Sequence, residues 1–224
     1  MSHGRRRIAA WLAIIAVVST ISYAARFAES GPAPADVLFK WSTAIGTFVL
    51  DGVLLGLVLL IARGIGVREA FALRRPPSWP RAFRIGGVAL AATWTMSFIL
   101  ELAVGHAARE QAVPQYWDPA RAGVFVTNAV AIAAFVPIVE ESLCRGIGFA
   151  LFQRWGDAYA IAATAVGFAL AHGAVLDLPW VLVTGVGLGY LRAKTGSLYP
   201  CIALHATLNG IAVLASAVSA SAPT

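Results

Sequence analysis

Glu140 and Glu141 stand side by side near the end of an apolar run that begins at Ala122, and Arg145 follows four residues after the second. Only 12% of the 224 residues are Asp, Glu, Lys or Arg, so charge is scarce in this chain. An acidic side chain at the centre of a membrane helix costs roughly 3 kcal/mol on insertion scales, and such residues mark functional sites by default. Two later apolar segments carry residue pairs at the same spacing. Phe168-Ala-Leu-Ala-His172 closes one, and His205-Ala-Thr-Leu-Asn209 lies inside the other. Glu141 and Arg145 are four apart and can pair on one helix face, which leaves Glu140 without a partner in its own run. His205 and Asn209 likewise share a face. A carboxylate that deprotonates water, with imidazole and amide donors for a developing oxyanion, is what water-mediated hydrolysis needs.

Each group also has a plain structural use. Glu141 with Arg145 is a salt bridge that lets both charges exist near the membrane. His172 is a histidine at a helix end, and His205 with Asn209 is interhelical hydrogen-bonding glue. Other chemistries fit less well. The His-Glu-x-x-His pattern of zinc proteases is absent, although Glu140, His172 and His205 remain as an alternative zinc ligand set. Cys144 could serve a cysteine nucleophile but reads more simply as a small packing residue. There is no Gly-x-Ser-x-Gly elbow. Cys144 and Cys201 are the only cysteines, with no CxxC pattern and no disulfide framework.

The elements that must position these groups are apolar blocks. The chain is 59% hydrophobic, with a mean hydropathy of +0.76, well above a soluble domain. The blocks are long enough to span a bilayer and lack the alternation of a barrel strand, so the fold class is all-α, a polytopic transmembrane helical bundle. About seven spans are expected, near 8–25, 41–62, 85–104, 122 to the glutamates, 158–172, 179–191 and 198–218. The first follows Arg5-Arg6-Arg7 and reads as an uncleaved anchor, although Ser22-Tyr23-Ala24 weakly resembles a signal-peptidase site. Pro32 and Pro34 precede the second span. Pro76, Pro77 and Pro80 rule out a continuous helix through the basic connector after it. Asp51 and Glu101 lie inside the second and third spans with no recognisable partner pattern and read as bundle-facing acids.

The net charge of +6 sits between the apolar blocks, not on a soluble basic face with interleaved aromatics, which argues against nucleic acid. The N-terminus, the Arg63–Arg84 connector, Arg145–Arg154 and Arg192–Lys194 fall on one side, which the positive-inside rule makes cytoplasmic. Glu140 is then expected near the cytoplasmic end of the fourth span. Residues 1–121 are an N-terminal transmembrane region, 122–218 carry all the motifs, and 219–224 form a polar tail. There is no internal repeat and no separate soluble domain.

The three motifs, in this order and each in or at the end of an apolar segment, resemble the CPBP family of intramembrane proteases. That family is also called the Abi or CAAX prenyl protease family and includes Rce1-type enzymes. Its Glu-Glu-x-x-x-Arg is matched by Glu140-Glu141-Ser-Leu-Cys-Arg145, its Phe-x-x-x-His by Phe168 to His172, and its His-x-x-x-Asn by His205 to Asn209. The resemblance covers about 122–218. It implies a glutamate-dependent endopeptidase within the bilayer that needs no cofactor. Glu140 would activate water with His172 assisting, Glu141 and Arg145 would order the site, His205 and Asn209 would form the oxyanion hole, and Phe168 would pack against it. The implied substrate is a membrane-anchored or membrane-inserted protein in the lipid bilayer. The residue usage, rich in Ala, Arg and Gly, points to a bacterial cytoplasmic membrane. A non-catalytic relative, such as a bacteriocin-immunity or scaffold protein, is the alternative.

Overall fold

A computed structural model describes residues 3–28, 33–105, 110 and 113–221. Pro32 and the last three residues of the polar tail lie outside that set. The described residues form helices and connectors without a strand: α1 (His3–Ala28), α2 (Trp41–Ala62), a one-turn α3 (Val67–Ala70) and α4 (Trp79–Val104). A continuous helical run follows, comprising α5 (Ala122–Val130), a π-helical stretch (Ala131–Phe135), α6 (Val136–Glu141), a second π stretch (Ser142–Gly148) and α7 (Phe149–Phe152). The chain ends with α8 (Asp157–Ala171), α9 (Leu178–Thr195) and α10 (Tyr199–Ser221). This is an integral membrane helical bundle.

The expected spans and the observed helices coincide except at the fourth, which runs past the glutamates to Trp155. By length and hydropathy, α1, α2, α4, the run from Pro119 to Trp155, and α10 qualify as membrane spans. The α8 helix, at 15 residues, and the more polar α9 complete the bundle without meeting both criteria alone. Pro80 does not interrupt the third span; it lies in the first turn of α4, where its missing N–H costs nothing. The Ser78 Oγ accepts from the Arg81 N–H just ahead of that turn. At the far end of α9, Gly196 takes a left-handed conformation (φ 61°) and its N–H closes on the Arg192 carbonyl.

Away from water, every backbone and hydroxyl group must find a partner inside the protein. The hydroxyls of Ser142, Thr164, Thr184, Thr195 and Thr207 do so by donating to the carbonyl four residues back. With no water to drive them together, the helices associate through small residues that allow close approach. A Cβ on Gly185 of α9 would come within 3.1 Å of the Ala165 backbone on α8.

One core joins the N-terminal spans to the motif-bearing helices. Trp11 of α1 is 1% exposed, and its indole N–H donates to the Leu143 carbonyl at 2.8 Å. Gly148 and Gly167 leave room for that ring, since a Cβ on either would meet it at under 3 Å. A smaller aromatic cluster of Phe39, Tyr116, Trp117 and Phe125 covers the other end of the bundle, with the Arg121 guanidinium 5.6 Å from the Phe39 ring centre.

Candidate active site

The glutamates do not stand at the end of a span. They lie inside a helical run that continues from Pro119 to Trp155, between its two widened π segments. Pro137 explains part of the first. In an i→i+5 pattern the Val136 N–H bonds to the Ala131 carbonyl, as observed. The next carbonyl, that of Ile132, would need the N–H of residue 137, and proline has none. A buried carbonyl must still be satisfied. The Asn209 side-chain amide supplies the bond from α10, at 3.0 Å. In the second widened segment the Leu143 carbonyl accepts from Trp11 and the Arg145 carbonyl from the Arg192 Nε, at 2.8 and 2.9 Å. Single-turn π distortions of this kind concentrate at functional sites.

Glu141 and Arg145 do pair, with Nη1 to Oε1 at 2.9 Å and both side chains fully buried. The remaining Arg145 contacts hold it in place. Its Nη2 donates to the Gly185 carbonyl at 2.7 Å, and its guanidinium lies 4.5 Å from the Phe168 ring centre. Glu141 has a second partner that the spacing within its own helix gave no sign of. The same Oε1 accepts from His205 Nδ1 at 3.0 Å. Because a carboxylate only accepts, Nδ1 carries the hydrogen, and Nε2 is the nitrogen turned to the other glutamate. It lies 3.7 Å from Glu140 Oε2. Glu140 is therefore not isolated: His205 stands between the two carboxylates.

Phe168 sits at the centre of the assembly, 3% exposed. Its ring meets His172 at 4.4 Å and His205 edge-on at 5.6 Å. His172 Nδ1 donates to the Phe168 carbonyl at 2.8 Å, which makes Nε2 the unprotonated nitrogen of the neutral ring. Glu140, Phe168, His172, His205 and Asn209 all line one cavity of about 450 Å³, together with Trp94, Trp180 and Thr184. Glu141 and Arg145 lie behind it. Three separate helices thus bring all the motif side chains to one place.

Cys144 and Cys201 are buried in the core and do not line this cavity. Among the described residues, no group of three or more His, Cys, Asp or Glu side chains is placed to hold a metal ion. Asp51 lies on a second cavity, about 520 Å³ between α1 and α2, whose wall also includes Glu140. Asn128 escaped notice in the sequence. It is fully buried, and its amide donates to the carbonyls of Leu38, Lys40 and Val124, tying the entry of α2 to α5. An asparagine inside an apolar run was the available signal. Glu110 was equally silent. Its carboxylate accepts from the consecutive backbone N–H groups of Val175, Leu176 and Asp177 and pairs with Arg26.

Residues 122–211 match the model of the type II CAAX prenyl endopeptidase Rce1-like family. The match begins at α5 and ends just past Asn209, so it takes in every residue of the three motifs. Neither the curated proteins nor the solved structures compared with the chain contain a match.

Proposed function

We propose that this chain, which carries an Rce1-like domain of the CAAX-type intramembrane proteases at residues 122–211, is an endopeptidase that cleaves a membrane-anchored or membrane-inserted protein, with Glu140 as general base. The observation that carries this reading is the division of labour around His205: one carboxylate buried and ion-paired, the other facing a cavity of substrate size.

In this mechanism Glu140 takes a proton from water as the oxygen attacks the scissile carbonyl carbon. A C–O bond forms and the carbonyl π electrons move to oxygen. His172, whose Nδ1–H is held by the Phe168 carbonyl, accepts a hydrogen bond from the same water through Nε2 and orients it. The oxyanion receives hydrogen bonds from His205 Nε2–H, in the ring form protonated at both nitrogens, and from the second amide hydrogen of Asn209, the first being held by Ile132. Glu141, held by Arg145, keeps the His205 ring oriented. Collapse of the intermediate breaks the C–N bond, and the proton on Glu140 passes to the leaving nitrogen. No metal or cofactor takes part.

Glu140→Gln tests this. It should lower cleavage by about 10²–10⁴-fold with expression and fold retained, and uncut precursors should accumulate in the membrane proteome. Unchanged precursor levels in that variant would refute the glutamate mechanism. Activity should also persist in strong chelators, and its loss there would instead support the zinc alternative.

A further inference from the structure

The cavity at Glu140 is closed at one end of the bundle and lined at the other by a connector. At the closed end Leu188, Leu191, Leu198 and Cys201 are at most 1% exposed. The connector between α2 and α4 folds back beneath them. Phe71 is buried, and a Cβ on Gly146 would come within 2.5 Å of its ring. The Leu198 N–H donates to the Ala72 carbonyl, and Arg74 Nε to the Gly196 carbonyl at 2.7 Å. Opposite this floor, Val113 of the connector between α4 and α5 lines the cavity, with Trp180 in the first turn of α9 and Ala212 beyond Asn209 on α10.

The two ends differ in charge. The closed end carries Arg5 to Arg7, the basic connector from Arg63 to Arg84, Arg154 and Lys194, against Glu69 and Asp157. The opposite connectors carry fewer basic residues, and those described are matched: Lys40 by Asp36, Arg121 by Asp36 and Asp118, and Arg26 by Glu110. The second opening on Glu140 lies between α1 and α2 and is lined by residues of those helices and by Ala171, the last residue of α8.

Resting on the protease reading above, we propose that the polypeptide reaches Glu140 from the non-cytoplasmic side. The closed, basic end faces the cytoplasm by the positive-inside rule. The substrate is then a membrane-anchored polypeptide whose cleaved bond lies at the outer leaflet, not a cytoplasmic tail. This reverses the depth and side read from the sequence, where Glu140 fell near the cytoplasmic end of its span.

The test is labelling with a membrane-impermeant maleimide in right-side-out and inverted vesicles. The buried Cys144 and Cys201 give a low background. Ala212→Cys and Val113→Cys should label in right-side-out vesicles and not in inverted ones, and Arg75→Cys, in the basic connector, the reverse. Val113 lies outside any helix, so its variant covers a folding failure of Ala212→Cys. Labelling of the two cavity variants from inverted vesicles alone, or no labelling of either from outside, overturns the proposal. This readout needs no catalysis, so it separates from the Glu140→Gln test. Precursors that accumulate in the Glu140→Gln strain should in addition carry their spared bond on the non-cytoplasmic side.

Discussion

Glu140 and Glu141 are chemically identical neighbours with opposite surroundings. Glu141 faces the packed half of the bundle, fully buried, with Arg145 and His205 sharing one oxygen. Glu140 lines the cavity with its side chain 26% exposed and has no ion-pairing Arg or Lys among the described residues; its Oε2, like the Oε2 of Glu141, has no hydrogen-bond partner. The contrast extends beyond the pair. On the packed side, cationic side chains end on backbone carbonyls, Arg145 on Gly185 and Arg192 on Arg145. On the cavity side, Glu140, His172, His205 and Asn209 line the open volume. The difference teaches that the cost of an intramembrane acid was met twice by different means. One acid is neutralised by structure, and the other, on the proposed mechanism, is retained for a reaction.

The comparison breaks most visibly at Arg145. Replacing it with alanine leaves the Glu141 charge buried without its guanidinium partner, which costs about 3–5 kcal/mol. Arg145→Ala should therefore lose folded protein in detergent-extracted membranes, whereas Glu140→Gln should not. Equal recovery of the two variants would dissolve the distinction between the halves. Asn209, which serves both, sharpens the comparison. Asn209→Ala strands the Ile132 carbonyl, with an expected loss of about 1 kcal/mol in thermal melts. On the proposed mechanism it also removes an oxyanion donor, for about 10²–10³-fold in turnover. A stability loss with full activity would assign Asn209 to the scaffold alone.

The smallest effect concerns the connectors over the cavity. Burial pushes the Glu110 carboxyl up, but the Val175 N–H, the Arg26 side chain and the Asp177 N–H together hold it below its ordinary value of 4.5. A depressed carboxyl contributes stability above the unfolded value and loses it as the pH falls through the folded one. Asp36, held down by Lys40 and Arg121, and Asp118, held down by Arg121, act in the same direction. Acidification below that range should loosen these connectors while the α1 to α9 core persists, seen as faster backbone hydrogen exchange at 175–177. Glu110→Gln should show the faster exchange already at neutral pH.

The helices were legible because a span has a length and a composition, and both can be counted from residue 41 to residue 62 as well as in a structure. The motifs were legible because a spacing of four places two side chains on one face. What lay outside reach depended on contacts between distant segments. The pairing of His205 with Glu141 joins residues 64 apart, and the capping of 175–177 by Glu110 crosses a similar distance. The π segments needed knowledge of which carbonyls other helices would satisfy; Pro137 was the visible clue. The depth of Glu140 was misjudged because the charged Arg145 looked like the end of a span. In fact Arg145 is fully buried, and the run continues to Trp155.

The central claim is that one glutamate is for chemistry and its neighbour for structure. The most direct measurement compares Glu140→Gln and Glu141→Gln side by side, by thermal unfolding in detergent and by accumulation of uncut membrane precursor. The account predicts a wild-type melting temperature and full precursor accumulation for Glu140→Gln, and a lowered melting temperature for Glu141→Gln. Wild-type processing by Glu140→Gln, or a fall in its melting temperature equal to that of Glu141→Gln, would contradict it.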